Sequence, residues 1–154
     1  MDALGLAVVM RARRVVAAMW GGSLWTIGFV VAPTLFYTLN DRVLAGNIAG
    51  SLFRVEGWLT MACAVLFGLL LWLSADIDER QRRLLERLVL AMLACTLLSF
   101  FIVQPMMTDL LDAASTGQGV AAGAATQFKL LHTLGGGLHL LEAIFAVMLV
   151  ANSK

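Results

Sequence analysis

The chain has 154 residues, of which 60% are hydrophobic and only 14% are charged, and its formal net charge is +1. A mean hydropathy of +0.87 is too high for a soluble domain of this length and indicates an integral membrane protein. The near-neutral charge gives no support to nucleic-acid binding. Two cysteines, Cys63 and Cys95, lie inside apolar runs, so a secretory disulfide framework is not expected.

Four apolar runs are long enough to cross a bilayer, since a hydrocarbon core about 30 Å thick needs a helix of about 20 residues. Backbone groups in lipid must form hydrogen bonds within their own segment, so α-helices are expected. We therefore predict an all-α, integral membrane four-helix bundle that forms one transmembrane domain over residues 1–154. The predicted spans are 15–37, 43–74 (with an outward extension before Gly57), 88–107 and 130–151.

The second predicted span carries two charges, Arg54 and Glu56, which we interpret as interfacial side chains that reach the lipid–water boundary. Before them lie small residues four apart, as expected where helices pack closely. These pairs are Ala45 with Ala49 and Gly46 with Gly50. Residues 108–127 are rich in Ala, Gly, Ser and Thr and predict an outer loop with one short helix at most.

Lys and Arg residues are distributed unevenly between the segments that connect the spans. The N-terminal arm holds Arg11, Arg13 and Arg14, and the loop between the second and third spans holds Arg80, Arg82, Arg83 and Arg87. The other two loops hold only Arg42 and Arg54, and Lys129. The positive-inside rule therefore predicts that both termini face the cytoplasm.

Two similar proline motifs suggest an internal repeat. Phe29–Pro33 (FVVAP) and Phe101–Pro105 (FIVQP) lie in the first and third predicted spans. They favour either two tandem helical hairpins or a chance similarity between two apolar hairpins. In both cases the prolines should lie at the same depth near the outer ends of their helices, where a kink frees backbone carbonyls.

The last predicted span carries several ionisable side chains. Lys129, His132, Gly136 and His139 follow a 3-4-3 spacing and form one stripe on the helix, and Glu142 lies one turn beyond His139. A carboxylate near the bilayer midplane costs a few kcal/mol unless it is paired or protonated. We therefore expect Glu142 to be protonated or paired with His139 at neutral pH.

A metal site is one interpretation of these residues. If the helices turn the right faces inward, Cys63 and Cys95 would approach His139 and Glu142 in a mixed set suited to copper or zinc. His132, nearer the outer surface, would capture an incoming ion or proton. The candidate metal ligands are thus His132, His139, Glu142 and Cys95. The alternatives are packing roles for the cysteines, a structural polar pair for His139 with Glu142, and interfacial hydrogen bonding for His132.

An enzyme is not expected, because the chain has no Ser-His-Asp order and no glycine-rich phosphate loop. We predict a non-enzymatic membrane protein that binds or passes a small cation, a soft metal ion or one linked to protons, through an outer-facing polar cavity. The alternative is a structural or assembly subunit that packs against partner helices, as a homo-oligomer or with another membrane protein.

Short motifs along the chain carry a family resemblance. They are Trp20-Gly21-Gly22, Val31-Ala32-Pro33 with Leu35-Phe36, Ala45-Gly46 through Gly50 and Phe53, and Phe128 with Leu131-His132. This pattern resembles the transmembrane protein 205-like family, a four-helix membrane domain of unknown biochemical activity, with a distant similarity to copper-resistance membrane proteins. The resemblance covers nearly the whole chain and implies a small bacterial inner-membrane protein. It implies His132 as the ionisable family position, whereas His139 stands where the family pattern suggests an amide.

Overall fold

The computed structural model describes residues 3–74, 77–115 and 124–153, and every regular element in these ranges is helical. The prediction of an all-α chain is confirmed. In chain order the elements are α1 (Ala3–Trp25), a first π-helical segment (Thr26–Val31), α2 (Ala32–Thr38), α3 (Arg42–Leu73), α4 (Glu79–Leu98), a second π-helical segment (Ser99–Val103), α5 (Gln104–Ser115) and α6 (Ala124–Asn152).

Four continuous helical stretches are long and apolar enough to cross a membrane: Leu4–Thr38, Val43–Leu73, Glu79–Leu110 and Thr126–Asn152. At about 1.5 Å per residue each is longer than a hydrocarbon core of about 30 Å, so each either emerges from it or crosses it at a tilt. The predicted outward extension before Gly57 belongs to one uninterrupted helix, α3. The outer loop predicted over residues 108–127 is helical at both of its ends, because α5 continues to Ser115 and α6 begins at Ala124; residues 116–123 lie outside the described residues.

The four long helices form a closed ring. α1 contacts α3 and α6, and α4 contacts the same two helices. Acidic caps fix where two of them begin: the Asp41 carboxylate accepts from the Val43 and Leu44 N–H groups at 2.9 and 3.1 Å, and that of Asp78 from the Gln81 N–H at 2.6 Å. Every long helix therefore lies beside two others, and side chains from all four can meet on the axis of the bundle.

One end of the bundle, which we call the basic end, joins the N-terminal arm, the C-terminus and the α3–α4 loop. Arg13 Nη1 donates to Ser74 Oγ at 2.8 Å, and Arg82 Nη2 donates to the Ser74 carbonyl at 2.5 Å. Arg14 Nε donates to the Ser153 carbonyl at 3.3 Å. Both serines follow the last turns of long helices, where the helix dipole attracts cations. The arginines thus hold three chain segments together.

The apolar core fills the half of the bundle next to the basic end. Its buried members are Ala17, Trp20 and Leu24 of α1, Ala64, Phe67 and Leu71 of α3, Leu85, Leu88, Val89 and Met92 of α4, and Ala146 and Leu149 of α6. The opposite half, whose end we call the proline end, has fewer buried apolar side chains among the described residues.

The two pairs of small residues on α3 have different surroundings. Ala45 and Ala49 are buried, as expected for residues at a close helix contact. A Cβ added to Gly46 or Gly50 would meet no atom within 4 Å. Close packing was therefore predicted correctly for the alanines, whereas the glycines form an open face of α3.

The two proline motifs share one local structure. In each, a π-helical segment is followed by an α-helical turn with proline as its second residue. The Ala32 N–H bonds to the Ile27 carbonyl, and the Gln104 N–H bonds to the Ser99 carbonyl, so both spacings are the five-residue spacing of a π-helix. Because proline has no N–H, the α-helical ladder is interrupted at the same place in both spans. The tandem-hairpin repeat itself remains a prediction.

Candidate functional site

Glu142 lies in the interior of the bundle with only 5% of its surface exposed. Its Oε1 accepts hydrogen bonds from Thr96 Oγ1 on α4 at 2.5 Å and from Thr60 Oγ1 on α3 at 3.4 Å. Both partners are neutral hydroxyls. Within the ranges that the structure describes, no Lys, Arg or His side chain pairs with this carboxyl.

A buried tryptophan joins α1 to this carboxyl. Trp20 is fully buried, and its Nε1 donates to Thr60 Oγ1 at 3.0 Å. Because the hydroxyl of Thr60 accepts from the indole, its own proton is free to point toward Glu142. Side chains from α1, α3, α4 and α6 therefore form one hydrogen-bonded network.

Glu56, one turn before Thr60 on α3, is a second buried carboxyl, with 3% of its surface exposed. Its Oε1 accepts from Ser23 Oγ of α1 at 3.0 Å. Its Oε2 is buried and has no hydrogen-bond partner among the described residues. The predicted interfacial position is therefore wrong for Glu56: α3 is continuous, and the face that carries Thr60 also turns Glu56 inward.

Two hydroxyls of the network have a second acceptor on the main chain. Ser23 Oγ lies 2.8 Å from the Trp20 carbonyl, and Thr96 Oγ1 lies 3.1 Å from the Met92 carbonyl. A hydroxyl has one proton, so it donates either to the carboxylate or to the carbonyl. When it donates to the carbonyl, a protonated carboxyl can donate to it in turn. The network therefore accommodates both the ionised and the neutral form of each carboxyl by rotating hydroxyl protons.

His139 does not pair with Glu142, although the sequence placed them one turn apart. Its Nε2 donates to the Leu24 carbonyl at 3.1 Å, which makes Nε2 the protonated nitrogen. Its ring meets that of Phe53 edge-on, with centroids 5.2 Å apart. A Cβ added to Gly28, in the first π-helical segment, would overlap the imidazole. The glycine therefore makes room for His139 against α1.

His132 lies away from this network. Its side chain is exposed, and its ring stacks on that of Phe128 with an interplanar angle of 8°. The predicted stripe from Lys129 to His139 thus divides into an outward-facing part and an inward-facing part.

The predicted metal ligands are not gathered into one centre. Cys95 is buried and Cys63 half-buried, and both are free thiols. Over residues 3–74, 77–115 and 124–153, no three His, Cys, Asp or Glu side chains form a group that could hold a metal ion. Of the candidates His132, His139, Glu142 and Cys95, only Glu142 forms hydrogen bonds within the polar network; Cys95 lies near it, and the two histidines make their contacts elsewhere.

An open cleft of about 400 Å³ lies at the proline end between α3 and the stretch formed by the second π-helical segment and α5. Its lining residues are Arg54, Phe100, Phe101, Gln104, Pro105, Thr108 and Asp109. Phe100 also packs on the backbone of Gly57, next to Glu56, because a Cβ on that glycine would lie 2.8 Å from the Phe100 ring.

Sequence reasoning missed most of the network. A usable signal was present on α3, where Glu56 and Thr60 are four residues apart on the face that also carries Ala64 and Phe67. A polar pair on the apolar face of a membrane helix points into the protein and not to the lipid. Ser23 gave no comparable signal.

The fold and this network define a multi-pass membrane protein with two buried carboxyls and three hydroxyls on the axis of its bundle. The chain belongs to the family described as a domain of unknown function (DUF4149), whose model matches residues 15–116. That description does not carry the transmembrane protein 205-like name predicted from the motifs. The matched range includes Trp20, Glu56, Thr60 and Thr96 and ends before α6, which carries Glu142. Comparison with the curated proteins and with the solved structures gives no match.

Proposed function

We propose that the protein is a non-enzymatic membrane protein that binds and releases protons at Glu56 and Glu142, which we call the acidic pair, and couples this to a small cation. The observation that carries the proposal is the environment of Glu142, which is buried and bonded only to neutral hydroxyls. An isolated carboxylate in a low-dielectric interior is costly unless a proton or cation balances it. A purely structural contact would need no ionisable group, since glutamine would satisfy the same threonines.

The neighbouring titratable groups that the structure describes supply no positive charge to balance the negative charge of an ionised acidic pair. Cys95 lies near Glu142 and Cys63 near Glu56, and a neutral thiol supplies no positive charge. His139 is turned toward the Leu24 carbonyl. Protons on the carboxyls themselves are therefore the simplest source of neutrality. In that state Glu142 donates to Thr96, Glu56 donates to Ser23, and both hydroxyls donate to main-chain carbonyls.

Infrared spectroscopy in lipid vesicles tests this function. At neutral pH we expect the carbonyl stretching band of protonated carboxyl groups, and alkaline pH should remove it. The double variant Glu56→Gln/Glu142→Gln should lack the band. Glu79→Gln is the matched control, because Glu79 is 84% exposed and pairs with Arg83 at the basic end, so its loss should leave the band intact. A band that persists in the double variant, or no band in the wild type, would refute the proposal.

We further propose that the protein lies in a bacterial inner membrane with its basic end in the cytoplasm. Arginines at this end, Arg13 and Arg14 in α1 and Arg82 in the first turns of α4, support that orientation. The motif resemblance to the transmembrane protein 205-like family supports the same location.

Reporter fusions test the orientation. Fusions after Asp78 and at the C-terminus should report cytoplasm, because the positive-inside rule retains arginine-rich segments there. A fusion near Thr116, between α5 and α6, should report periplasm. A periplasmic signal after Asp78 would reverse the orientation and place the proline end inside the cell.

A second candidate function, assembly with partner helices, is favoured by the open face at Gly46 and Gly50. Glycines four apart let two membrane helices approach closely. If assembly is the function, proton binding by the acidic pair would have no part in it. A complex that survives the double glutamine variant but is lost in Gly50→Leu would favour assembly over proton binding.

A further inference from the structure

Among the described residues, Glu56 Oε2 is a fully buried carboxyl oxygen of the network without a hydrogen-bond partner. We infer that the acidic pair binds a hard monovalent cation, Na⁺ or an ion like it, in exchange for one proton. This inference rests on the proposed function of the acidic pair as a proton site and names the ion that the site would take.

The hydrogen-bonding groups of the network that contains Glu56 are mostly oxygens, and the one partner of the Glu56 carboxyl among the described residues is Ser23 Oγ, at 3.0 Å. Besides the carboxyls of Glu56 and Glu142, the network offers the hydroxyls of Ser23, Thr60 and Thr96. Carboxylate and hydroxyl oxygens suit hard cations, whereas soft metal ions prefer thiolate and imidazole ligands. The thiols of the chain are not grouped with these carboxyls as a metal site in the described residues. The chemistry of the site therefore favours a hard cation over copper or zinc.

The hydroxyls can present lone pairs to an ion without losing their own hydrogen bonds. Ser23 Oγ keeps its proton on the Trp20 carbonyl at 2.8 Å, which leaves its lone pairs toward Glu56. Thr60 Oγ1 uses one lone pair for the Trp20 indole and retains the other. A cation beside Glu56 Oε2 would thus be coordinated by a carboxylate and by hydroxyls whose orientation is already fixed by their hydrogen bonds to Trp20.

Charge balance favours a monovalent ion. Glu142 Oε1 already has two hydroxyl partners, whereas Glu56 has one hydroxyl on Oε1 and a fully buried Oε2 without a partner among the described residues, so Glu56 is the carboxyl with room for a ligand in the protein interior. When Glu56 releases its proton to water and Na⁺ takes its place, the net charge of the acidic pair stays at zero. A divalent ion would require both carboxyls to ionise and would remove the proton that Glu142 donates to Thr96.

Proton release on addition of Na⁺ tests the inference. Wild-type protein in mild detergent, in weak buffer with a pH indicator, should release protons in a saturable way when NaCl is added, and not when choline chloride is added at equal ionic strength. Glu56→Gln should abolish the release. Ser23→Ala, which removes a ligand without changing the charge, should weaken Na⁺ binding roughly tenfold. Its matched control is Ser51→Ala, since exposed Ser51 on the same helix as Glu56 bonds only to its own helix and should bind Na⁺ as the wild type does.

Other outcomes overturn the inference. No proton release with NaCl, equal release in Glu56→Gln, or release with zinc or copper salts alone would each contradict a hard-cation site. If the infrared band of the acidic pair is present but NaCl releases no protons, the cation inference fails and the proposed proton function stands. If the band is absent, the proposed function itself fails. Unfolding curves of Glu56→Gln and Ser23→Ala that match the wild type would show that the lost release is not due to misfolding.

Discussion

Trp20→Ala is expected to lower the free energy of unfolding by about 3–5 kcal/mol, the usual range for truncating a buried aromatic residue. Trp20 is fully buried between α1 and its neighbours, so the substitution leaves a cavity in the apolar core. It also removes the N–H that bonds to Thr60, next to Glu142. Equilibrium unfolding in mixed detergent micelles measures the loss.

Two further tryptophan variants show whether the destabilisation by Trp20→Ala comes from the cavity in the core or from the lost hydrogen bond. Trp72→Ala is the matched control, because Trp72 is 76% exposed and its truncation should cost less than about 1 kcal/mol. Trp20→Phe retains most of the packing and should cost about 1 kcal/mol for the lost hydrogen bond. A Trp20→Ala loss no larger than that of Trp72→Ala would contradict the described core.

Gly28→Ala is expected to destabilise the protein by about 1–3 kcal/mol, the range for overpacking a filled site. The added methyl group would overlap the imidazole of His139. The ring cannot retreat freely, because Nε2 bonds to the Leu24 carbonyl and the ring packs against Phe53. The same unfolding measurement applies.

A double-mutant cycle identifies the cause of that loss. His139→Ala removes the ring, so Gly28→Ala in the His139→Ala background should cost little. Gly68→Ala, on an open face of α3, is the control and should be neutral or slightly stabilising through helix propensity. An undiminished cost of Gly28→Ala in the absence of the imidazole would show that the contact with His139 is not responsible.

Hydropathy and charge were sufficient to predict the helices. The four spans, the arginine-rich end and the matching positions of Pro33 and Pro105 all depend on local sequence, since length, apolar content and proline chemistry act within one segment. The π-helical turns before the prolines were expected only as kinks. Their form depends on a hydrogen-bond shift that the sequence motif alone does not specify.

The site was harder to predict because it depends on which helix faces meet. The sequence predicts an interfacial position for both Arg54 and Glu56, yet residues two apart point to nearly opposite sides of a helix. Arg54 accordingly lines the open cleft, and Glu56 points into the bundle. His139 and Glu142 are close enough in sequence to pair on one helix face. In the structure His139 instead bonds to the Leu24 carbonyl of α1, and Glu142 bonds to Thr96 of α4. Those partners depend on the ring order of the four helices, which no single segment encodes.

Carbon-13 NMR of glutamate side-chain carboxyls, with the protein in lipid bilayers at neutral pH and without Na⁺, tests the proposed acidic pair most directly. Carboxyl carbons of protonated and ionised groups resonate at different frequencies, so each residue reports its own state. We predict protonated signals for Glu56 and Glu142, assigned by their loss in the single glutamine variants, and an ionised signal for exposed Glu79. Ionised signals from both Glu56 and Glu142 under these conditions would contradict the proposal.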